Sequence, residues 1–286
     1  MKNNNKTKEI ALLESILALN ITQTSPLLGG SLGKASLIET DTGQKLVVKT
    51  YPNNHQIVEN EHKMLNFLCS IEDFPTPKPL LCKKGYLIME YIEGTSQFSL
   101  KSQIDIAHKL AALHSKTKSQ AGFPFNTVIG PLPQLNSWNL AWFDFYLEQR
   151  LLPIVEIAIK KERFSPNIKD TICKVTLKFK TLTEPPKQMS LLHGDIWSGN
   201  VLATDQNVTA FLDPALYYGE PKMELAFIRW LSTFDKTFFS EYTNLTNITL
   251  SDEEYRIYSL YPILVHATLF GGRYVEELNM SLERLL

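Results

Sequence analysis

The sequence predicts a two-lobed α+β fold, in which a small lobe with an antiparallel sheet precedes a larger, mainly helical lobe. β-like runs are concentrated early in the chain, within residues 26–51 and 86–92, where apolar and β-branched residues are bounded by turn signals. Beyond this part the apolar residues recur mainly at helical spacing. The change of texture places the boundary at residues 92–96. We therefore assign residues 1–92 to the first lobe and residues 93–286 to the second.

Composition is that of a globular protein, with 44% hydrophobic and 21% charged residues among 286. The net charge of −1 gives no basic field, so nucleic acid and anionic membranes are not expected partners. Cys69, Cys82 and Cys173 are too scattered for a zinc or disulfide framework, which is typical of a reducing compartment. No apolar run has the length of about 20 residues that a membrane span needs, and Glu14 interrupts any signal-peptide core. We expect a cytoplasmic monomer that is not membrane-bound.

The first lobe begins with a polar tail and an amphipathic helix over residues 10–19, followed by a glycine-containing loop. Gly29, Gly30 and Gly33 precede the first β-like run and could let backbone N–H groups approach phosphates. The plain alternative is an ordinary turn. Lys49 in the second run, VVKTY, favours the phosphate interpretation, because a lysine there can neutralise phosphate oxygens; otherwise it would be a solvated strand residue.

The helix predicted over residues 56–70 carries one acid on its apolar stripe. Glu61 shares that stripe with Ile57 and Leu68, whereas Glu59 falls on the polar face. A carboxylate among core positions needs a partner, and Lys49 is the available cation. The sequence therefore predicts a lysine–glutamate pair that aims the lysine at phosphates.

The strand YLIMEYI is followed by the crossing between the lobes. Glu90, Tyr91 and Ile92 are candidates for backbone hydrogen bonds to an adenine edge at this crossing.

The second lobe opens with a helix over residues 102–115 that ends near His114, which we interpret as a packed or capping histidine. The loop over residues 122–137 is long and rich in Gly, Pro and Asn, and is a candidate for substrate recognition or for lobe packing. An aromatic helix bearing Arg150 follows, and most of its rings should belong to the core.

The stretch LLHGDIWSGNVLATDQNVTAFLDP places three oxygen-bearing side chains at spacings suited to phosphoryl transfer. It predicts a loop followed by a hairpin, which returns Asp213 towards Asn200. A carboxylate and an amide oxygen can then share one Mg²⁺ ion, while Asp195 faces an incoming hydroxyl as proton acceptor. Taken singly, these residues are more typical of turns and strand ends; their joint spacing favours the functional interpretation.

The segment after Asp213 is short. Residues 214–220 alone separate Asp213 from the next helical run at Pro221, which is too short for a phosphorylated switch or a peptide platform. We expect an enzyme that is active as synthesised and that accepts small molecules or exposed modified side chains.

These motifs resemble those of the fructosamine kinase (ketosamine 3-kinase) family, within the aminoglycoside phosphotransferase-like group of protein-kinase-like folds. The resemblance extends over about residues 26–274 and rests on LLHGDIWSGN, DPALYYG, the passage from GFPFN through IG, PQ and W to EQRLLP, and LFGGRY. It implies an ATP- and Mg²⁺-dependent kinase that phosphorylates the C3 hydroxyl of a ketosamine or of a glycated protein side chain.

The resemblance also implies a role for each residue that matches a motif position of the family. Asp195 would be the base, Lys49 and Glu61 the phosphate-aligning pair, Asn200 and Asp213 the Mg²⁺ ligands, and Trp197 a ring against which the sugar-amine rests.

The chain departs from the family pattern at two places. Ser31 stands where many members have a glycine-loop cysteine, so redox control is not carried over, and Glu220 and Pro221 follow YYG in place of the usual residues. Two alternatives remain open: the same chemistry on an aminoglycoside, choline or a sugar, and a catalytically silent nucleotide-binding module. Retention of all five polar site residues argues against the silent module.

Overall fold

The computed structural model describes residues 2–27, 33–51 and 54–286, with side chains described from residue 8 onward. The first part of the chain forms a five-stranded antiparallel sheet in the order β1-β2-β3-β5-β4, flanked by two helices. Its elements are α1 (Lys2–Leu17), β1 (Ile21–Pro26), β2 (Lys34–Thr40), β3 (Lys45–Thr50), α2 (His55–Cys69), β4 (Pro79–Lys83) and β5 (Tyr86–Glu90).

Alternation along β3 directs side chains to opposite faces of this sheet. Leu46 and Val48 pack with Leu13 of α1 on one face, and Val47 packs with Val58 of α2 on the other. Lys49 is two residues after Val47, so its side chain lies on the α2 face. The period of two in this strand therefore brings the lysine to the helix that carries Glu61.

Helix α2 begins after Asn54, whose side chain accepts a hydrogen bond from the Gln56 N–H at 3.2 Å and caps the helix. The predicted phase is confirmed, since Glu61 is buried with Ile57 and Leu68 while Glu59 is exposed.

Strands β1 and β4 were not predicted. Both are edge strands of the sheet, and β1 (ITQTSP) is polar and only partly buried, so it lacks the apolar run that identifies a central strand. Strand β4 begins at Pro79, the last residue of the stretch PTPKP, and these prolines predicted a turn at the point where the strand starts.

The second part of the chain is mainly helical and contains three small antiparallel sheets, of strands β6–β9–β12, β7–β8 and β10–β11. Its elements are α3 (Leu100–His114), β6 (Thr117–Lys118), β7 (Thr127–Ile129), β8 (Leu132–Gln134), α4 (Trp142–Phe145), a π-helical turn (Tyr146–Leu151), α5 (Leu152–Lys160), α6 (Ile168–Leu182), β9 (Met189–Leu192), a 3₁₀ turn (Ser198–Asn200), β10 (Val201–Ala203), β11 (Val208–Phe211), β12 (Tyr217–Gly219), α7 (Pro221–Trp230), α8 (Lys236–Thr246), α9 (Asp252–Phe270) and α10 (Arg273–Leu285).

Two pairings position the loops that carry the motif residues. β10 pairs with β11, and β12 pairs with β9, so residues 193–200 and residues 212–216 face each other. The Leu212 N–H donates to the Asn200 carbonyl and the Ala215 N–H donates to the His193 carbonyl, both at 2.8 Å. The predicted hairpin is present and returns Asp213 to the first loop.

The segment over residues 122–137 folds into the β7–β8 hairpin and reaches the first part of the chain. β7 packs against α2, and the rings of Phe67 on α2 and Phe123 meet edge to face with centroids 4.9 Å apart. Lobe packing, one of the two predicted roles, is thus a property of this segment.

The aromatic helix is largely core, as its pattern predicts. Trp142, Phe143, Phe145 and Tyr146 are buried, whereas Trp138 lies before the helix and is 40% exposed. Within the part of the chain that the structure describes, no helix combines the length and apolarity needed to cross a bilayer.

Candidate active site

The loop after β9 depends on a glycine. Gly194 has φ +88°, and a Cβ there would lie 2.1 Å from the carbonyl oxygen of Ala215. Only glycine allows the two loops to approach this closely. HGD is therefore a structural requirement as well as a chemical one.

Asp195 and Asn200 are joined directly. The Asn200 Nδ2 donates to Asp195 Oδ2 at 2.8 Å and to the Asp195 carbonyl at 2.9 Å. Because the amide nitrogen is used in this way, the Asn200 carbonyl oxygen remains for a ligand. The structure thus brings the first two predicted site residues into one hydrogen-bonded unit.

Asp213 adopts a left-handed backbone conformation, with φ +53°. This conformation is uncommon for a residue other than glycine and is held by the interlocked loops on either side. Its carboxylate contacts the Lys49 ammonium through Oδ1 and is one-third exposed to the cleft.

Lys49 connects the sheet to both carboxylates. Its Nζ lies 2.8 Å from Glu61 Oε1, with both side chains largely buried, and also contacts Asp213. Burial alone would lower the pKa of Lys49, but Asp213 and Glu61 outweigh it and hold the pKa above its ordinary value. Burial raises the pKa of Glu61, and Lys49 opposes that rise. The ammonium is therefore firmly charged and aimed at the cleft.

The side chain of Asp195 is partly buried. Burial, followed by repulsion from Asp213, raises its pKa to about 8, while the Asn200 hydrogen bond acts in the opposite direction. Only the ionised carboxyl can accept a proton, so its capacity as a base increases as the pH rises through about 8.

Glu224, which the sequence analysis did not identify, binds the backbone of the loop directly before Asp195. Glu224 of α7 accepts from the His193 N–H at 3.2 Å and from the Gly194 N–H at 2.5 Å. His114 Nε2 lies 2.8 Å from Glu224 Oε2, and its Nδ1 lies 2.6 Å from the Tyr242 hydroxyl. His114 is thus packed, as predicted, but within a chain that fixes the two residues preceding Asp195. The signal was available: Glu224 interrupts the apolar run MELAFI as Glu61 interrupts its own stripe.

A cleft of about 460 Å³ lies between the sheet and the two loops. Its lining includes the polar side chains of Lys49, Glu61, Asn200 and Asp213, and also Glu90, Tyr91 and Ile92. Apolar side chains from both parts of the chain line it as well: Leu27, Ala35, Val47, Leu65, Met89, Leu202 and Leu212. The cleft therefore combines charged and amide groups with apolar walls.

The predicted glycine-loop residues are only partly visible. Gly33 enters β2 beside the ring of Tyr51, and a Cβ on it would lie 2.7 Å from that ring. Gly29, Gly30 and Ser31 lie outside the described residues, so their predicted phosphate contacts stay predictions.

A second cavity, of about 230 Å³, lies on the other side of Asp195. Its walls come from the β7–β8 turn, α7, α9 and α10: Ile129, Gly130, Asp195, Trp197, Phe227, Leu231, Pro262, Val265, His266, Leu269, Phe270 and Tyr274. Trp197 borders both cavities, and its ring folds over Gly199, where a Cβ would lie 2.3 Å away. Trp197 therefore stands where the two cavities meet, and Asp195 lines the smaller one.

The oxygen atoms of Asn200 and Asp213 are of the type that Mg²⁺ prefers. Within residues 2–27, 33–51 and 54–286, no group of three or more His, Cys, Asp and Glu side chains could enclose a metal by itself. Two protein ligands with open positions fit an ion that arrives with phosphate oxygens and water.

Comparison with known proteins identifies the family. The profile of the fructosamine kinase family matches residues 5–286. The chain belongs to the fructosamine kinase family. A chloroplastic protein-ribulosamine 3-kinase of Arabidopsis thaliana is 29% identical over 270 residues, covering 90% of this chain and 80% of the plant protein.

Two solved structures have the same fold as this fructosamine kinase family member. A putative fructosamine-3-kinase from Haemophilus somnus superposes with a TM-score of 0.84 at 23% identity, covering 97% of this chain and 96% of that one. An aminoglycoside phosphotransferase, solved as a ternary complex with ADP and hygromycin B, superposes with a TM-score of 0.64 at 17% identity, covering 96% and 98%. The predicted two-lobed, protein-kinase-like fold and the predicted phosphotransferase class are confirmed.

The turn after YYG, where the chain departs from the usual family pattern, has its own contacts. The Glu220 side chain accepts from the Lys222 N–H and caps α7, whose first residue is Pro221. The Lys222 ammonium pairs with Glu254 of α9. The unusual residues thus start the helix that carries Glu224.

Proposed function

We propose that this protein transfers the γ-phosphoryl group of ATP to the C3 hydroxyl of a ketosamine, a sugar joined to an amine by glycation. The observation that carries the proposal is the junction of the two cavities: Asp195 faces the smaller one, and its hydrogen-bonded partner Asn200 lines the larger one with Asp213. A phosphate held at Asn200 and Asp213 and a hydroxyl held at Asp195 would be neighbours. Positioning of this kind is the main requirement of phosphoryl transfer.

Six polar residues have a role in this proposal. Glu61 orients Lys49, whose ammonium neutralises phosphate oxygens. Asn200 and Asp213 would hold Mg²⁺, which, when bound, neutralises charge on the transferred group. Asp195 takes the proton of the attacking hydroxyl, and Glu224 keeps the backbone before it in place.

The acceptor class rests on the family and on the named relatives. The Arabidopsis relative is named a protein-ribulosamine 3-kinase, and an Enterococcus faecium relative of the same family is named a probable ketoamine kinase. A phosphate on C3, next to the C2 carbonyl, makes the adduct unstable and frees the amine. The reaction would therefore serve the repair of glycated amines or protein side chains.

An assay of ATP turnover against a panel of acceptors tests the proposal. Fructosamine and ribulosamine derivatives of lysine should be turned over, and ³¹P and ¹³C NMR should place the phosphate on C3. Aminoglycosides, choline and free sugars serve as competing acceptors. Preferential phosphorylation of one of these, or ATP binding without turnover of any acceptor, would overturn the assignment.

We also propose that the enzyme is active without phosphorylation of its own chain. Glu61 is already paired with Lys49, and α2, which carries Glu61, is held from the other side by the edge-to-face contact of Phe67 with Phe123. Unmodified recombinant protein should therefore phosphorylate glycated lysine at once. A requirement for a second kinase, or transfer to serine-containing peptides, would contradict this.

A further inference from the structure

The segment after Asp213 is held by the β7–β8 hairpin at successive residues. Gln134 Nε2 donates to the Ala215 carbonyl at 2.8 Å, and Thr127 Oγ1 donates to the Leu216 carbonyl at 3.2 Å. Immediately before the hairpin, Gly122 exchanges two backbone hydrogen bonds with Tyr218, at 2.8 and 3.0 Å. The residues that follow the proposed metal ligand are thus bound to a different element one after another.

These contacts converge on one buried hydroxyl. Thr127 Oγ1, besides donating to Leu216, accepts from Gln134 Nε2 at 2.9 Å and from Asn136 Nδ2 at 2.8 Å. Gln134 Oε1 accepts from the Tyr261 hydroxyl of α9 at 2.9 Å. Thr127, Gln134 and Asn136 are each 1–2% exposed. Every polar atom in such a network needs its partner, because water cannot replace it.

A buried arginine completes the network. Arg150 is fully buried and donates to Asn136 Oδ1 at 2.7 Å and to the Leu135 carbonyl at 2.5 Å. Its guanidinium stacks on the ring of Tyr217, 3.9 Å from the centroid. No carboxylate among the described residues pairs with it, so hydrogen bonds from its two terminal nitrogens and the neighbouring rings accommodate this cation, while its buried Nε has no hydrogen-bond partner.

Residues 215–217 also contact the loop that carries Asp195. The Ala215 N–H donates to the His193 carbonyl at 2.8 Å, and the Ala215 carbonyl occupies the space beside Gly194 where a side chain would be. A shift of Ala215 would therefore move Asp213 on one side and the approach to Asp195 on the other.

We propose that Thr127, Gln134, Asn136 and Arg150 form a positioning clamp, which holds residues 215–217 and thereby fixes Asp213 and Asp195 relative to each other. None of the four lines the cleft of about 460 Å³ proposed for the nucleotide (the nucleotide cleft) or the cavity of about 230 Å³ proposed for the acceptor (the acceptor cavity). They are positioning residues, and they act on the rate of transfer. The clamp holds Asp213 and Asp195 in one arrangement at all times, which fits a segment after Asp213 that is too short for a phosphorylated switch. The inference rests on the proposed function for its activity readout, and on the hydrogen bonds alone for its geometry.

Substitution at the hub tests the clamp. Thr127→Val keeps the shape of the side chain and removes the hydroxyl, so the Leu216 carbonyl and two amide donors lose their partner. We expect kcat per folded molecule to fall about ten- to hundredfold, since a small misplacement far from the chemistry has effects of this size. The KM for the acceptor and the Kd for ADP should change less than threefold. Thr127→Ser, which keeps the hydroxyl, should restore most of kcat.

Thr176→Val is the matched control. Thr176 is also a buried threonine, 2% exposed, whose hydroxyl donates to a carbonyl, that of Ile172 within α6, and it contacts neither loop. Only Thr127→Val should lower kcat when activity is expressed per folded molecule, with the folded fraction determined by titration with ADP. Equal kcat values for the two valine variants, or failure of serine to restore kcat, would overturn the clamp.

The two proposals can fail separately. Slow hydrolysis of ATP without acceptor would use the proposed metal ligand Asp213 and no acceptor, so it serves as a second readout of Thr127→Val. If wild-type enzyme ignores ketosamines while Thr127→Val still lowers ATP hydrolysis, the substrate assignment fails and the clamp stands. If ketosamine turnover is unchanged in the folded variant, the clamp fails and the substrate assignment stands.

Discussion

The larger cleft, which we propose binds the nucleotide, and the smaller cavity, which we propose binds the acceptor, meet at Trp197 but are built in different ways. The cleft draws its polar groups from short motifs, with Asn200 and Asp213 on adjoining loops of one hairpin. The acceptor cavity draws mainly apolar side chains from helices that are distant in sequence, such as Phe227 of α7 and Val265 of α9. The residues proposed for phosphoryl transfer therefore stand in short motifs, whereas those proposed to contact the acceptor are brought together by helix packing.

The largest expected effect is at the boundary between the two cavities. Asp195→Asn removes the proton acceptor and keeps the size of the side chain. We expect kcat to fall by about 10²–10⁴-fold, the usual contribution of general-base catalysis. Binding of ADP, measured by calorimetry, should change little, because Asp195 does not line the nucleotide cleft. Turnover close to that of the wild type would remove Asp195 from the role of base.

Helix α7 lines the smaller cavity through Phe227 and carries Glu224, and the buried carboxyl of its N-cap, Glu220, makes the stability of the fold depend on pH. Burial raises the pKa of Glu220 to about 7. A carboxyl whose pKa is raised by folding favours the folded state below its unfolded pKa of about 4.5, and this advantage is lost as the pH rises through about 7. Glu220→Gln stays neutral and keeps an acceptor for the Lys222 N–H.

Denaturant unfolding of wild type and Glu220→Gln at several pH values measures this effect. The free energy of unfolding of the variant should rise relative to that of the wild type as the pH rises from 5 to 8.5. The rise should be at most about 3 kcal/mol, since one pKa unit corresponds to ~1.4 kcal/mol. A difference in the free energy of unfolding that is constant with pH would show that Glu220 ionises in the fold as readily as in the unfolded chain.

The contrast between the regions also explains what the sequence could predict. Asp195, Asn200, Asp213 and Lys49 stand in motifs with fixed spacing, and the helical phase placed Glu61 on the inner face. The structure brings these five side chains to one site. The roles assigned to them remain predictions, of which Asp195→Asn and Asp213→Ala test two.

Long-range packing was beyond the sequence. Besides the carbonyl of its neighbour Gln149, Arg150 binds a carbonyl and an amide oxygen of the segment directly after β8, and nothing in the helix that carries Arg150 indicates these distant partners. The acceptor cavity joins residues as far apart as Ile129 and Tyr274, so no local window contains it. The edge strand β1 is too polar to be recognised without its neighbour β2.

A smaller effect is expected from a substitution in the nucleotide cleft, which should leave the acceptor cavity unchanged. Asp213→Ala removes one proposed Mg²⁺ ligand and one partner of Lys49. The Mg²⁺ concentration for half-maximal activity should rise about tenfold or more, since a contact between charged groups contributes ~1.5–3 kcal/mol. The KM for the acceptor should not change, because Asp213 does not line the acceptor cavity. An unchanged dependence on Mg²⁺ would contradict the metal role.

The smallest expected effect is on the acceptor side, and it tests whether the apolar cavity holds the acceptor at all. Leu269 lies near the end of α9, lines the acceptor cavity and is partly exposed, so a larger ring can be introduced there without disturbing the core. Leu269→Trp should fill part of the cavity of about 230 Å³ and raise the acceptor KM about tenfold, equivalent to ~1.4 kcal/mol of binding. The KM for ATP should stay as in the wild type. Leu245→Trp is the matched control, because Leu245 on α8 is 41% exposed and borders neither cavity. Equal acceptor KM values for the two tryptophan variants would place the acceptor elsewhere, whereas a rise in the KM for ATP with Leu269→Trp would show that the two regions are not independent.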